Sequence, residues 1–114
     1  MKKSKKPWVS VNINGHKISA LYDTGADICC TTAASFRQVF LVGKRPKKLN
    51  VISTVTSASG DKLECLGVYH IPFEIDKKKF EYNIHVVQHL SQDLILGINF
   101  FQGEVLQLAY DPGK

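Results

Sequence analysis

The sequence predicts an all-β domain, a small closed barrel of short strands. Three observations predict it. Apolar and polar residues alternate with period two along much of the chain, which is the strand period. Asn14-Gly15 sits between two alternating segments and marks a tight hairpin, because both central positions of such a turn need positive φ. Ser57-Ala58-Ser59-Gly60-Asp61 is small and polar, the composition of a second hairpin tip. The 114 residues suit one domain over 1–114, with residues 1–7 as a basic flexible tail. A domain this short buries a modest share of its surface, so self-association is a natural source of further stability.

Each element follows from local pattern. Trp8 to Ile13 reads as a strand whose apolar residues are Trp8, Val9, Val11 and Ile13. His16 to Tyr22 returns, Ile18 and Ala20 alternating with Lys17 and Ser19. Thr32 to Phe40 predicts a short helical turn with Thr31 or Thr32 as N-cap. A basic loop surrounds Pro46. Leu49 to Thr56 is β-branched and strand-like, and Lys62 to Tyr69 alternates, with Leu63, Cys65 and Gly67 on one side. Together they predict a longer hairpin. His70 to Ile75 is a strand interrupted by Pro72, which marks an edge or a bulge. Asp76 to Lys79 turns, and Phe80 to Val87 is a further strand. Leu94-Ile95-Leu96 is wholly apolar, as expected of a strand buried on both faces, and Gly97 ends it. Asn99 to Gln102 opens a short C-terminal helix stopped by Gly103, and Val105 to Tyr110 is the last strand. Trp8 and the phenylalanines are expected in the core or an interface.

Composition narrows the function classes. Hydrophobic residues make up 44% and charged residues 22%, which excludes global disorder. The net charge of +5 is clustered at Lys2, Lys3, Lys5 and Lys6, at Lys44, Arg45, Lys47 and Lys48, and at Lys77, Lys78 and Lys79. No nucleic-acid-binding motif accompanies these runs, so they read as solvated turns and a tail, and nucleic acid is not expected as the main partner. The cysteines, Cys29, Cys30 and Cys65, are odd in number, and the adjacent pair could bridge only with strain. There is no secretory h-region, no Asn-x-Ser/Thr site and no apolar run long enough to span a membrane. The expectation is an intracellular protein of a reducing compartment, the cytoplasm or a virus-like particle, with no membrane partner.

Several chemistries are disfavoured at once. No Cys-x-x-Cys is present, so Cys30 and Cys65 read as small hydrophobes rather than zinc ligands. His85 and His89 are four apart, but Tyr82 to Val87 reads as a strand, which would separate them. There is no Gly-x-Ser-x-Gly and no phosphate loop. No metal and no cofactor are expected.

The informative segment is Ala20-Leu21-Tyr22-Asp23-Thr24-Gly25-Ala26-Asp27. A strand runs directly into a carboxylate, a small hydroxyl residue and a glycine. Asp-Thr-Gly alone also describes an ordinary Asx turn, so context decides. The context is Leu94-Ile95-Leu96-Gly97 far downstream and the Gly60 hairpin between them. With these parts in this order the chain resembles the retropepsins, the aspartic proteases of retroviruses and LTR retrotransposons. Val-Asn-Ile-Asn-Gly-His at 11–16 and Phe100-Phe101 are more similar to gypsy-type members.

The resemblance implies a barrel of the acid-protease type with a flap hairpin, forming a two-fold homodimer. It makes Asp23 the catalytic aspartate, has Thr24 hydrogen-bond across the dimer, and has Gly25 contact the substrate backbone. It places Ala26 and Asp27 on the substrate main chain. Ser57, Ala58, Ser59 and Gly60 become the flap tip, and Leu21, Ile28, Cys30 and Ile95 line apolar side-chain pockets. Two positions depart from the family pattern. Tyr22 stands where a smaller aliphatic residue is usual, and Ile98 replaces an arginine that many members pair with the residue matching Asp27.

The aspartic mechanism needs two carboxylates sharing a proton. Asp61, Asp76, Asp93 and Asp111 are followed by Lys, Lys, Leu and Pro, so none begins a second Asp-Ser/Thr-Gly turn. Asp27 would lie over Asp23 only on a helix, and Gly25 argues against one. The second carboxylate is therefore expected from an identical chain. Two function classes follow: a peptidase that processes a retroelement polyprotein by activated-water attack at apolar sites, and a catalytically silent dimerisation or binding domain of a domesticated retroelement protein.

Overall fold

The computed structural model describes residues 8–23, 26–56, 60–98 and Phe100. In chain order the strands are β1 (Trp8–Ile13), β2 (His16–Tyr22) and β3 (Cys29–Thr32). The helix α1 (Ala33–Val39) follows. Then come β4 (Lys47–Lys48), β5 (Val55–Thr56), β6 (Lys62–Leu63), β7 (Cys65–Ile75), β8 (Lys78–Val87) and β9 (Leu94–Leu96).

Two hairpins supply most of the barrel. Asn14 and Gly15 have φ of 52° and 83°, the double positive φ that joins β1 to β2 in full register from Trp8↔Leu21 to Ile13↔His16. Asp76 and Lys77 do the same between β7 and β8 at 51° and 69°. The strands run β1-β2-β9-β3-β8-β7, and the Asn12↔Glu74 pairing of β1 with β7 closes this ring. β4 hangs outside it on β7, and β5 pairs with β6 as a separate two-stranded ribbon.

Alternation fills the barrel. Val11, Ala20, Ile84, Leu94 and Leu96 are fully buried, and Ile71 and Phe73 nearly so. Phe73, Phe80, Tyr82 and Phe100 form a ring cluster with centroids 5.0–6.2 Å apart. Tyr22 stacks on Phe100 at 6.3 Å, which explains how the larger residue fits: its ring extends the aromatic layer. Burial, then the Asp76 charge, pushes its phenol above the usual tyrosine range.

Thr32 is the N-cap of α1, its hydroxyl accepting from the Ser35 N–H at 3.1 Å. Ala33, Phe36 and Val39 face the core, and Phe36 packs on Tyr69 at 4.5 Å. The Asn14 amide donates to the carbonyls of Val39 and Val42 at 2.8 and 3.1 Å, so the first hairpin turn holds the end of this helix. Thr31 Oγ1 donates to the Asp93 carbonyl at 2.6 Å and Ser35 Oγ to its carboxylate at 3.2 Å, tying the helix start to the entry of β9.

The structure corrects three sequence expectations. Leu49 to Thr56 is not one strand: only Val55–Thr56 pairs, and Ile52 is fully exposed. A β-branched run becomes a strand only where a partner edge exists. That edge lies earlier, where Lys47 and Lys48, assigned to a loop, pair with His70 and Tyr69. Edge pairing uses main chain alone, and lysines suit an edge that must not aggregate. Second, Pro72 interrupts nothing. Cys65–Ile75 is a single strand, and the register irregularity falls at Cys65/Gly67 instead. Pro72 pairs with Glu81 on β8, while β4 and β1 bond β7 only on either side of it, at 69–70 and 74. The missing N–H therefore costs no ladder bond. Third, Ile95 is half-buried, unlike its buried neighbours. Trp8, expected in the core or an interface, is 41% exposed and so lies outside the core. The expected tail at 1–7, the helix from Asn99 and the strand from Val105 fall on residues outside the described ones, apart from Phe100.

Leu94→Ala should lower stability by about 2–5 kcal/mol, read by denaturant unfolding at constant m-value, because Leu94 is fully buried at the centre of the core. His85 on β8 generates a pH prediction. Its Nδ1 is buried without a partner, and desolvation, opposed by a hydrogen bond to the Cys29 backbone, holds its pKa below 6.5. The neutral ring is the folded form, so its contribution is complete above the unfolded pKa and is lost as pH falls through the folded one. Between pH 7 and pH 5 the parent should lose stability relative to His85→Gln; parallel pH profiles would contradict this.

Candidate active site

β2 and β3 are consecutive in sequence but not neighbours in the sheet. β9 runs between them, parallel to β2 (Leu21↔Ile95, Tyr22↔Leu96) and antiparallel to β3 (Cys30↔Ile95). Neighbouring strands lie about 4.8 Å apart, so the ends of β2 and β3 are held about 10 Å apart and the connection must cross the end of β9. Three backbone bonds stitch that crossing. The Asp23 N–H donates to the Leu96 carbonyl at 3.0 Å, the Ala26 N–H to the Asp23 carbonyl at 3.0 Å, and the Ile98 N–H to the Ala26 carbonyl at 2.7 Å.

Gly97 allows the crossing. A Cβ there would stand 2.4 Å from the Ile28 carbonyl oxygen and 2.8 Å from the Ile28 nitrogen. Real atoms do not approach so closely, and both neighbours are backbone that cannot rotate away. Glycine is required here by space, not by φ.

Asp23, Ala26, Asp27 and Ile28 of this crossing line a cleft of about 730 Å³, the size of a ligand site. Leu21, Asp23, Ala26, Asp27, Ile28, Cys30 and Ile95 line it, so seven of the residues singled out in the sequence come together. Ile95 is half-buried because its side chain meets the cleft. Thr24, Gly25, Ser57, Ala58 and Ser59 lie outside the described residues. Gly60, at φ 93°, precedes Asp61, which lines the cleft.

Other lining residues were not anticipated. Val55, Thr56 and Leu63 come from the β5–β6 ribbon, Thr54 from the residue before it, and His89, Leu90 and Ser91 from the segment after β8. The alternation around Val55 could have marked it; nothing local marks 89–91, which the barrel alone brings to the rim. Behind the apolar wall Cys30, Val55 and Val87 form a small second core with Ile28, Leu63, Cys65 and Leu90.

The chemistry offered is that of carboxylates. Asp23, Asp27 and Asp61 are the acidic groups lining the cleft. The three cysteines form no disulfide, and Cys29 and Cys30 are not poised as nucleophiles. Burial pushes Cys29 up to about 11 and, with the nearby Cys29 and Cys65 adding, Cys30 up to about 12. Among the described residues no group of three or more His, Cys, Asp or Glu side chains could hold a metal ion. His85 lies on β8 and His89 beyond its end.

A family model described as gag-polyprotein putative aspartyl protease matches residues 9–103. The chain belongs to that family. Solved structures agree on the fold. The EIAV protease complexed with the inhibitor HBY-793 superposes with a TM-score of 0.71 at 21% identity, over 92% of this chain and 93% of that one. The retroviral protease-like domain of Ddi1 from Leishmania major superposes with a TM-score of 0.63 at 17% identity, over 90% of this chain and 76% of that one. No curated protein sequence matches the chain. This aspartyl protease relative thus has the retropepsin-like fold, a closed six-stranded ring with Asp23, Ala26 and Asp27 lining the cleft.

Gly97→Ala should separate the loop from β9. The expected outcome is a loss of about 1–3 kcal/mol or more in thermal unfolding, as in overpacked cores, together with loss of any peptide binding in the cleft. An unchanged melting temperature would show that the Ile28–Gly97 approach is not the constraint described.

Proposed function

We propose that this protein is a homodimeric aspartic endopeptidase that cleaves a retroelement polyprotein at apolar sites. The observation that carries the reading is Asp23, set at the end of β2 on the floor of an apolar cleft and tied by its own N–H to β9. The family match over 9–103 supports it. Each chain supplies one Asp-Thr-Gly, so the reading requires a second copy related by a two-fold axis.

Two carboxylates brought together hold one proton between them. The charged member draws a proton from a water held between them, the neutral one donates to the scissile carbonyl, and the water oxygen attacks the carbon. No covalent enzyme intermediate forms. In this reading Thr24 bridges the two loops, Gly25 and Ala26 approach the substrate backbone, and Asp27 binds its main chain. Leu21, Ile28, Cys30 and Ile95 accept apolar side chains, and Ser57 to Gly60 close over the peptide. The absent arginine at Ile98 does not untie the loop, because the Ile98 N–H holds the Ala26 carbonyl through main chain. The place of action is intracellular, the cytoplasm or a virus-like particle.

A peptide with large apolar residues on both sides of one bond should be cut near pH 5 and protected by pepstatin. Asp23→Asn should lower kcat/KM by about 10³-fold or more while leaving the melting temperature and dimer unchanged. Dilution should lower specific activity, since the pair exists only in the dimer. An Asn variant that cuts as well as the parent would refute the assignment of Asp23, and a parent that cuts no such peptide at any dimer concentration would leave the silent binding domain as the reading.

A further inference from the structure

We propose that the loop 41–48 docks this protein on an anionic lipid surface, Leu41 and Val42 entering the headgroup boundary and Lys44, Arg45, Lys47 and Lys48 meeting its charge. The loop leaves the end of α1 and delivers the chain to β4. Leu41 is 79% and Val42 77% exposed, although the core lies one residue away at Phe40, which is buried. They are turned outward by a built feature. The Asn14 amide takes the Val39 and Val42 carbonyls together, and Gly43 follows at φ 96° against the Asn14 side chain. The two aliphatic side chains are therefore presented by a pinned turn.

Charge surrounds this tip. Lys44, Arg45, Lys47 and Lys48 are all exposed, and none of 41–48 carries an acidic group. The last two lie on the outer strand β4, where backbone pairing to Tyr69 and His70 fixes their place. A bilayer interface with acidic headgroups uses both halves of the patch: aliphatic side chains gain by leaving water, and cations gain from the negative surface potential. A nucleic acid would use the cations alone, and the loop has no aromatic ring on which a base could stack. Peripheral docking needs no spanning segment, and no described helix is long and apolar enough to be one. None of residues 41–48 lines the cleft, so docking leaves it open and does not rest on the protease reading.

Co-sedimentation of the full chain with two kinds of vesicle tests this, one of phosphatidylcholine alone and one containing phosphatidylserine. The protein should bind the acidic vesicles and not the neutral ones. Leu41→Ser with Val42→Ser should weaken binding about tenfold or more, and Lys44→Glu with Arg45→Glu by a similar factor. The melting temperature should not move, because all four side chains are exposed. The N-terminal lysines remain in both variants, so they serve as the internal control for charge alone. Absence of binding to acidic vesicles would overturn the proposal. So would binding that survives the serine pair, which would reduce the contact to nonspecific charge. Binding to a homopolymeric RNA at lower protein concentration than to vesicles, unaffected by the serine pair, would also overturn it and assign the cations to nucleic-acid phosphates.

Discussion

Asp23 stands where it does because β9 runs between β2 and β3. The inserted strand holds the end of β2 apart from the start of β3, and the amide of Asp23 and the carbonyl of Leu96 meet at 3.0 Å across its end. The crossing closes only if the chain after β9 passes within contact distance of Ile28, and Gly97 alone among the residues there permits it. The rest follows in order. The parallel Leu21↔Ile95 pairing aligns two cleft-wall residues. The antiparallel Cys30↔Ile95 pairing brings in a third. The Ile98–Ala26 bond fixes the far side of the loop through backbone, which is why that side does not depend on an arginine.

The same insertion separates stability from chemistry. Leu94 and Leu96 turn to the core and are fully buried, while Ile95 between them turns to the cleft. One three-residue strand thus holds the barrel and shapes the site. The buried thiols serve packing: with pKa values about 11 and about 12, Cys29 and Cys30 stay protonated and behave as small apolar groups. The lining groups left to do acid–base work are the carboxylates of Asp23, Asp27 and Asp61 and the imidazole of His89.

Much of the fold was legible in the sequence where structure is local. Asn14-Gly15 specified its turn because few residues accept two successive positive φ values, while Asp76-Lys77, expected only as part of a turn over 76–79, adopts the same backbone without a glycine. Thr32 capped α1 because a hydroxyl at that position satisfies an otherwise free helix amide. Reading failed where a partner strand decides. Val51 and Ile52 have strand composition and no edge to pair with, while Lys47 and Lys48 have loop composition and an edge waiting on β7. Pro72 looked like a break and is harmless, since no neighbour needs its amide.

From the sequence alone came the single Asp-Thr-Gly, the apolar strand Leu94–Leu96, and with them the need for a second copy if the carboxylate is to work as one of a pair. These depend on residue identity and short-range pattern, which a sequence carries in full. Only the tertiary structure decided that Thr54, Val55, Thr56, Asp61, Leu63 and the segment His89 to Ser91 share the cleft with Asp23, and that Gly97 is a steric necessity. These are approaches between segments many residues apart, created when β9 slides between two strands that the sequence lists side by side.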